Sequence, residues 1–238
     1  MVNKIEAISK PNLLLSISVV ILVINFILIL FFANFDRLVY MIFFYHVSSA
    51  WLSYFSFGIS LICNVLYLRN KKIKFSYLGK NSIIVGLIFS GFTLITGSLW
   101  YNATSAFYTN VFWQWSEPRQ TMTLVLFFSY LSFLIFRNLV EDKEKKAKLS
   151  AALGIVVFPT VPLSYISVII FTSTHPLINP NPGQGNIYWD PLKLFVLFFN
   201  LIAITLLFFY VVQKLVRIDE TKEKLDRIIQ ERLIEEEI

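Results

Sequence analysis

The stretch LLLSISVVILVINFILILFFA, residues 13–33, contains no charged side chain. A helix rising ~1.5 Å per residue needs about 20 such residues to cross the ~30 Å hydrocarbon core of a bilayer. A run of this kind limits the available folds more than any other feature of the chain. Further apolar runs follow at about 47–68, 82–99, 121–136, 149–172 and 192–212. Lipid offers no partner for backbone N–H and C=O groups, so each run must satisfy its own as a helix. The pattern predicts an all-α polytopic membrane protein with six transmembrane helices. Composition points the same way: charged residues make up 15% and mean hydropathy is +0.66, whereas soluble domains carry about 25% charge. The N-terminal MVNKIEAISKPN lacks a small-residue cleavage signal, so the first run reads as a retained span.

The positions of the cations orient these spans. The segment RNKKIKFSYLGK joins the second run to the third and holds Arg69, Lys71, Lys72, Lys74 and Lys80; RNLVEDKEKKAK joins the fourth to the fifth and holds Arg137, Lys143, Lys145, Lys146 and Lys148. The alternate segments contain Arg37 and Arg119, with Lys193 at a span edge. The positive-inside rule then places both termini and the basic loops in the cytoplasm and residues 34–46, 100–120 and 173–191 outside, in a plasma membrane. The net charge of +6 is accounted for by this topology and requires no nucleic acid partner. After the last span, Leu215, Ile218, Leu225, Ile229 and Leu233 recur at helical spacings. Two units are expected: a six-helix domain over 1–212, and a cytoplasmic amphipathic tail helix over 213–238.

The external segments are rich in aromatic residues. An interfacial belt accounts for Tyr40, Tyr45, Trp51 and Trp189. It fits the middle segment less well, where Trp100, Trp113 and Trp115 gather with Phe107, Tyr108 and Phe112 around VFWQWSEPRQT. The chain contains 2 histidines, and both fall at the outer surface at similar depth: His46 in FYHVSSAWLSY and His175 in FTSTHPLINP. Ser49, Ala50 and Ser53 share the His46 face, leaving room for a flat ligand or for a close helix contact. A lone cysteine, Cys63, excludes a disulfide within the chain and a Cys-x-x-Cys-His haem attachment. Zinc usually takes three or four protein ligands, which Glu117 or Asp190 would have to complete. Two axial imidazoles suffice for haem iron, with Trp113 and Trp115 as a flat surface and Arg119 or Arg37 as cations for the propionates.

The combination of YHVSSAW, TGSLW, WQWSEPRQT and a lone histidine after the fifth span resembles the haem-handling proteins of cytochrome c maturation. Their external segment has the core W-x-W-D-x-R/K-x-T, the WWD domain, between two external histidines. Six spans and one histidine pair resemble the CcmC branch. The resemblance covers nearly the whole chain in topology, with an external WWD segment at about 100–121. It assigns Trp113, Trp115, Arg119 and Thr121 to the motif, Trp100 to its opening tryptophan, and His46 and His175 to the histidine pair. Glu117 aligns with the motif's aspartate across a one-residue insertion at Ser116. Two further departures are the long, glycine-free stretch 101–112 and Pro176 after His175.

The resemblance implies transient binding of haem b on the outer side. His46 and His175 would be the axial ligands and Arg119 a propionate partner. Haem would then pass to a periplasmic-type haem chaperone, beside ATP-binding cassette ATPase and membrane subunits. The chain has no phosphate-binding loop, so ATP hydrolysis would belong to a partner and no enzymatic step is expected of this chain. The alternatives are a b-type cytochrome subunit that retains one outer bis-histidine haem, and a transporter or structural subunit without haem.

Overall fold

The computed structural model describes residues 13–32, 41–105, 112–173, 175 and 191–236. Every regular element among them is an α-helix: α1 (Leu13–Phe32), α2 (Ile42–Asn70), α3 (Ile73–Ser105), α4 (Pro118–Leu139), α5 (Lys143–Val157), α6 (Thr160–Ile170) and α7 (Pro191–Glu236). With α5 and α6 taken as one interrupted crossing, 6 segments are long and apolar enough to cross a membrane. The expected architecture is therefore present, with helices that overrun the expected spans.

The overruns have local causes. The segment 69–81, expected as a loop, is almost entirely helical, and the joint between α2 and α3 is Lys71 and Lys72 alone. Lysine and arginine are good helix formers, so charge ends the lipid-compatible stretch without ending the helix. The turn itself is made by Lys71 at φ 58°, whose N–H donates to Tyr67 O at 2.8 Å. This left-handed cap satisfies a terminal carbonyl of α2. Likewise α5 begins at Lys143, inside the second expected loop, where the Asp142 carboxylate accepts from Lys145 N at 2.7 Å. The fifth crossing breaks at Phe158 and Pro159, because proline has no N–H to continue the ladder. Thr160 Oγ1 bonds the freed Val157 carbonyl at 2.7 Å.

The interior is more polar than the rim, as expected where lipid rather than water surrounds the bundle. Val20, Val23, Phe31, Ile88, Ile95, Ile135 and Val156 are exposed, while Ser48, Ser53, Ser56, Ser60 and Asn64 of α2 are buried. Between helices in a bilayer, close packing and hydrogen bonds replace the hydrophobic drive. The central pair, α2 and α3, approaches through glycines: a Cβ on Gly86 would lie 2.7 Å from Phe57 Cε1, and one on Gly79 would lie 2.9 Å from Asn64 Oδ1. α7 joins this pair through Asn200, whose Nδ2 donates to Ser48 Oγ at 2.8 Å and Phe44 O at 3.3 Å. α1 packs chiefly on α7, where Asn25 Nδ2 donates to Val196 O at 3.0 Å. On the other flank, Leu126, Tyr130 and Phe133 of α4 and Val161 of α6 pack against Phe57, Ile83 and Leu87.

The last crossing and the amphipathic tail form one continuous helix of 46 residues, roughly 69 Å at ~1.5 Å per residue. Beyond the apolar stretch, a polar network ties α7 to α3. Lys80 Nζ and Asn81 Nδ2 both donate to Asp219, each at 2.6 Å, and Tyr77 Oη donates to Glu223 Oε2 at 2.9 Å. Arg137, buried at the end of α4, donates to Ser76 Oγ at 3.0 Å and lies in the field of Asp219. This network occupies the end of the bundle opposite the histidines.

Candidate functional site

The site is assembled where α2 begins and α3 ends. His46 lies in the second turn of α2, inside the helix and not ahead of it as the expected 47–68 span implied. Its ring rests against bare backbone of α3: a Cβ at Gly97 would come 3.0 Å from His46 Cε1. One residue earlier, Thr96 Oγ1 lies 3.0 Å from His46 Nδ1. Trp100 sits one turn beyond Thr96, on the helix that continues to Ser105 and not in a loop. Ser49 and Ser53, on the His46 side of α2, are buried within the bundle, so this face packs against protein.

Residues 112–117 form the non-helical part of the tryptophan-rich segment that the structure describes, and they feed directly into α4. Glu117 is the N-cap of α4, its carboxylate accepting from Arg119 N at 3.4 Å, and Pro118 occupies the first helical position. Proline loses nothing there, since the first N–H groups of a helix lack intrahelical partners, and a carboxylate suits the positive end of the helix dipole. Thr121 Oγ1 donates back to Trp115 O at 2.9 Å, and Gln114 N donates to Gln120 Oε1 at 3.0 Å, closing the loop onto α4. Trp113 and Trp115 meet edge to face at 5.7 Å. Trp115 is 72% exposed; the Trp113 indole N–H is buried with no acceptor among the described residues.

The carboxylate of this loop reaches the second histidine. Ser173 Oγ donates to Glu117 Oε1 and accepts from His175 N at 3.0 Å. Ser173 and His175, 34 and 36 positions beyond Leu139 at the end of α4, are thereby held at its beginning in space. As a result the His46 and His175 rings face each other with centroids 6.4 Å apart and planes inclined at 46°. Two metal–nitrogen bonds of ~2 Å, with roughly 1 Å from each nitrogen to its ring centre, would separate imidazole centroids by about 6 Å. The pair therefore has the spacing of two ligands to one metal ion. Among the described residues no group of three or more His, Cys, Asp or Glu could hold a metal. A bis-imidazole haem iron needs no third protein ligand.

Arg119 is placed less simply than its sequence position suggests. Its Nη1 donates to Ser164 O at 2.9 Å and Tyr165 O at 3.1 Å, and the guanidinium stacks near Tyr165 and Tyr54 at 5.4 and 5.9 Å from the ring centres. It clamps the start of α4 to α6. The residues missed in the sequence are Thr96, Gly97 and Ser173. The first two stand in the quoted TGSLW, and their place four and three residues before Trp100 was the available signal. Ser173 carried none. Tyr40, Arg37, Phe107, Tyr108, Pro176, Trp189 and Asp190 lie outside the described residues.

Comparison with known proteins finds relatives of this chain. The chain is 31% identical to heme exporter protein C of Bradyrhizobium diazoefficiens over 169 residues, which is 69% of this chain and 62% of that protein. It is 32% identical to a ccmC-like mitochondrial cytochrome c biosynthesis protein of Marchantia polymorpha over 125 residues, 52% of this chain and 51% of that protein. With heme exporter protein C of Rhodobacter capsulatus the identity is 26% over 168 residues, 68% of this chain and 67% of that protein. The chain thus spans between half and two thirds of these relatives' lengths. A family model described as "CcmC: Heme exporter protein C" matches residues 4–229, nearly the whole sequence, and the chain belongs to that family.

Proposed function

We propose that this chain is a membrane haem-handling protein of cytochrome c maturation that binds haem b transiently at the outer membrane face and delivers it to a haem chaperone. The observation that carries the reading is the histidine pair: the 2 histidines of the chain, 129 positions apart in sequence by their numbers, lie with ring centroids at 6.4 Å. Family membership and the printed names of the relatives support the same cargo. In this reading His46 and His175 take the axial positions of the iron, and the exposed face of Trp115 with Trp113 covers the macrocycle. A guanidinium has five N–H donors, and Arg119 spends one nitrogen on α6 carbonyls; its remaining donors pair with a propionate. Trp100 and Glu117 support the pocket from α3 and α4.

The distribution of lysine and arginine sets both termini, the network around Asp219 and the tail of α7 on the cytoplasmic side of the plasma membrane. There the tail is available to the ATP-binding cassette ATPase and membrane subunits that supply energy. The chain itself binds and transfers and performs no bond-forming step. Haem held by two imidazoles and an open tryptophan face can be taken up by a chaperone, whereas a b-type cytochrome would retain it.

The test is an absorption spectrum of protein purified from cells supplied with haem. The wild type should show a low-spin bis-imidazole signal, and His46→Ala and His175→Ala should each lose most of it. Equal spectra for all three would end the ligand assignment. Haem with a reversible midpoint that stays on the protein when an apo-chaperone is added would replace transfer with electron carriage.

A further inference from the structure

A histidine binds iron through a nitrogen that carries no proton, and its other nitrogen decides which one that is. At His46 the structure supplies the deciding contact. Thr96 Oγ1 lies 3.0 Å from Nδ1 of the ring and also 2.6 Å from Phe92 O, one turn back on α3. Two oxygens at that separation need a proton between them, and a carbonyl has none to give. The single hydroxyl proton of Thr96 is therefore committed to Phe92, and the hydroxyl can only accept from the imidazole. No donor on this turn of α3 competes to bond a bare Nδ1. Gly97 lets the ring approach closely enough for this bond, since any side chain there would crowd Cε1 at 3.0 Å.

We infer that Thr96 is a positioning residue that holds His46 as the Nδ1–H tautomer, leaving Nε2 unprotonated as the haem-iron ligand. The inference deepens the haem-binding reading and rests on it for the identity of the metal, but the tautomer itself is a property of the protein without haem. Half of the site is thus prepared before haem arrives, by a hydroxyl whose own proton is spent within its helix. The TGSLW sequence acquires a division of labour: Thr96 orients, Gly97 makes room, and Trp100 follows on the same face.

Nitrogen-15 NMR of histidine-labelled, haem-free protein in detergent, at about pH 8 where imidazole is neutral, reads the tautomer directly. The His175→Ala variant leaves the His46 nitrogens alone in the spectrum. The expected result is a protonated Nδ1 and a bare Nε2. A dominant Nε2–H tautomer would overturn the inference, and this measurement needs no change at position 96. In Thr96→Val, which keeps the shape and removes the hydroxyl, the two tautomers should mix, and haem occupancy at limiting haem should fall about tenfold. Thr96→Ser should restore both. A Thr96→Val protein with unchanged ring-nitrogen signals would also overturn it. Expected NMR results combined with full haem loading of His46→Ala would instead sink the ligand reading and leave the tautomer assignment standing.

Discussion

Ser173 bears more of the site than its size suggests. Its hydroxyl donates to Glu117 and receives the His175 N–H, so one side chain couples the N-cap of α4 to the second histidine. Removing it should loosen His175 without touching any ring. For Ser173→Ala we expect haem affinity to fall about tenfold, the usual scale for a supporting shell, while Ser173→Thr keeps it; a haem titration of both variants checks this. Thermal unfolding of the haem-free protein should be unchanged, because the bond lies at the rim of the bundle. The link also accounts for Glu117, which aligns one residue late with the motif's aspartate. The carboxylate has two duties in this chain, capping α4 and reaching Ser173, and both depend on its being the residue immediately before Pro118.

At the scale of elements, the bundle depends on how closely α2 and α3 approach, and its glycines are not equivalent. A Cβ at Gly86 would strike Phe57 at 2.7 Å, whereas at Gly58 nothing lies within 4 Å. Gly86→Ala should therefore overpack the helix pair and destabilise it by about 1–3 kcal/mol. Gly58→Ala should be neutral or stabilise by up to ~1 kcal/mol through helix propensity. Thermal melts of the two variants in one detergent make the comparison, and equal losses would contradict the packing described here. The positions of these elements were largely legible in the sequence, since a bilayer imposes a length and a polarity that composition reveals. Their ends were not. Charge marks where lipid stops, but Lys71 and Asp142 show that a helix ends where a cap or a left-handed turn forms, several residues further on.

For the whole molecule, the two ends are built differently. One presents two histidines and tryptophans; the other closes with a charged network in which Asp219 receives Lys80 and Asn81. Because α7 is continuous, that network is what holds the tail helix in line with the bundle. Leu225, Ile228, Ile229 and Leu233 beyond it are exposed. Asp219→Ala would strip both bonds and leave the buried Arg137 without a nearby anion, a costly arrangement. Limited proteolysis of the detergent-solubilised protein should then cut α7 beyond the last crossing several-fold faster than in the wild type. A Glu231→Ala control, at an exposed position, should cut at the wild-type rate.

The sequence alone was enough for six crossings, for the likeness to a haem-handling family, and for singling out His46 and His175. Each of these follows from the period of hydrophobicity or from residue types that are rare in the chain, and both survive without knowledge of neighbours. The tertiary structure alone decided that the two imidazole centroids stand 6.4 Å apart, that Arg119 bonds α6, and that Thr96 and Ser173 contact the histidines. Those facts depend on which helices touch. Serine, threonine and glycine are common along any membrane helix, and only contact distinguishes the one that orients a ring from the many that merely fit.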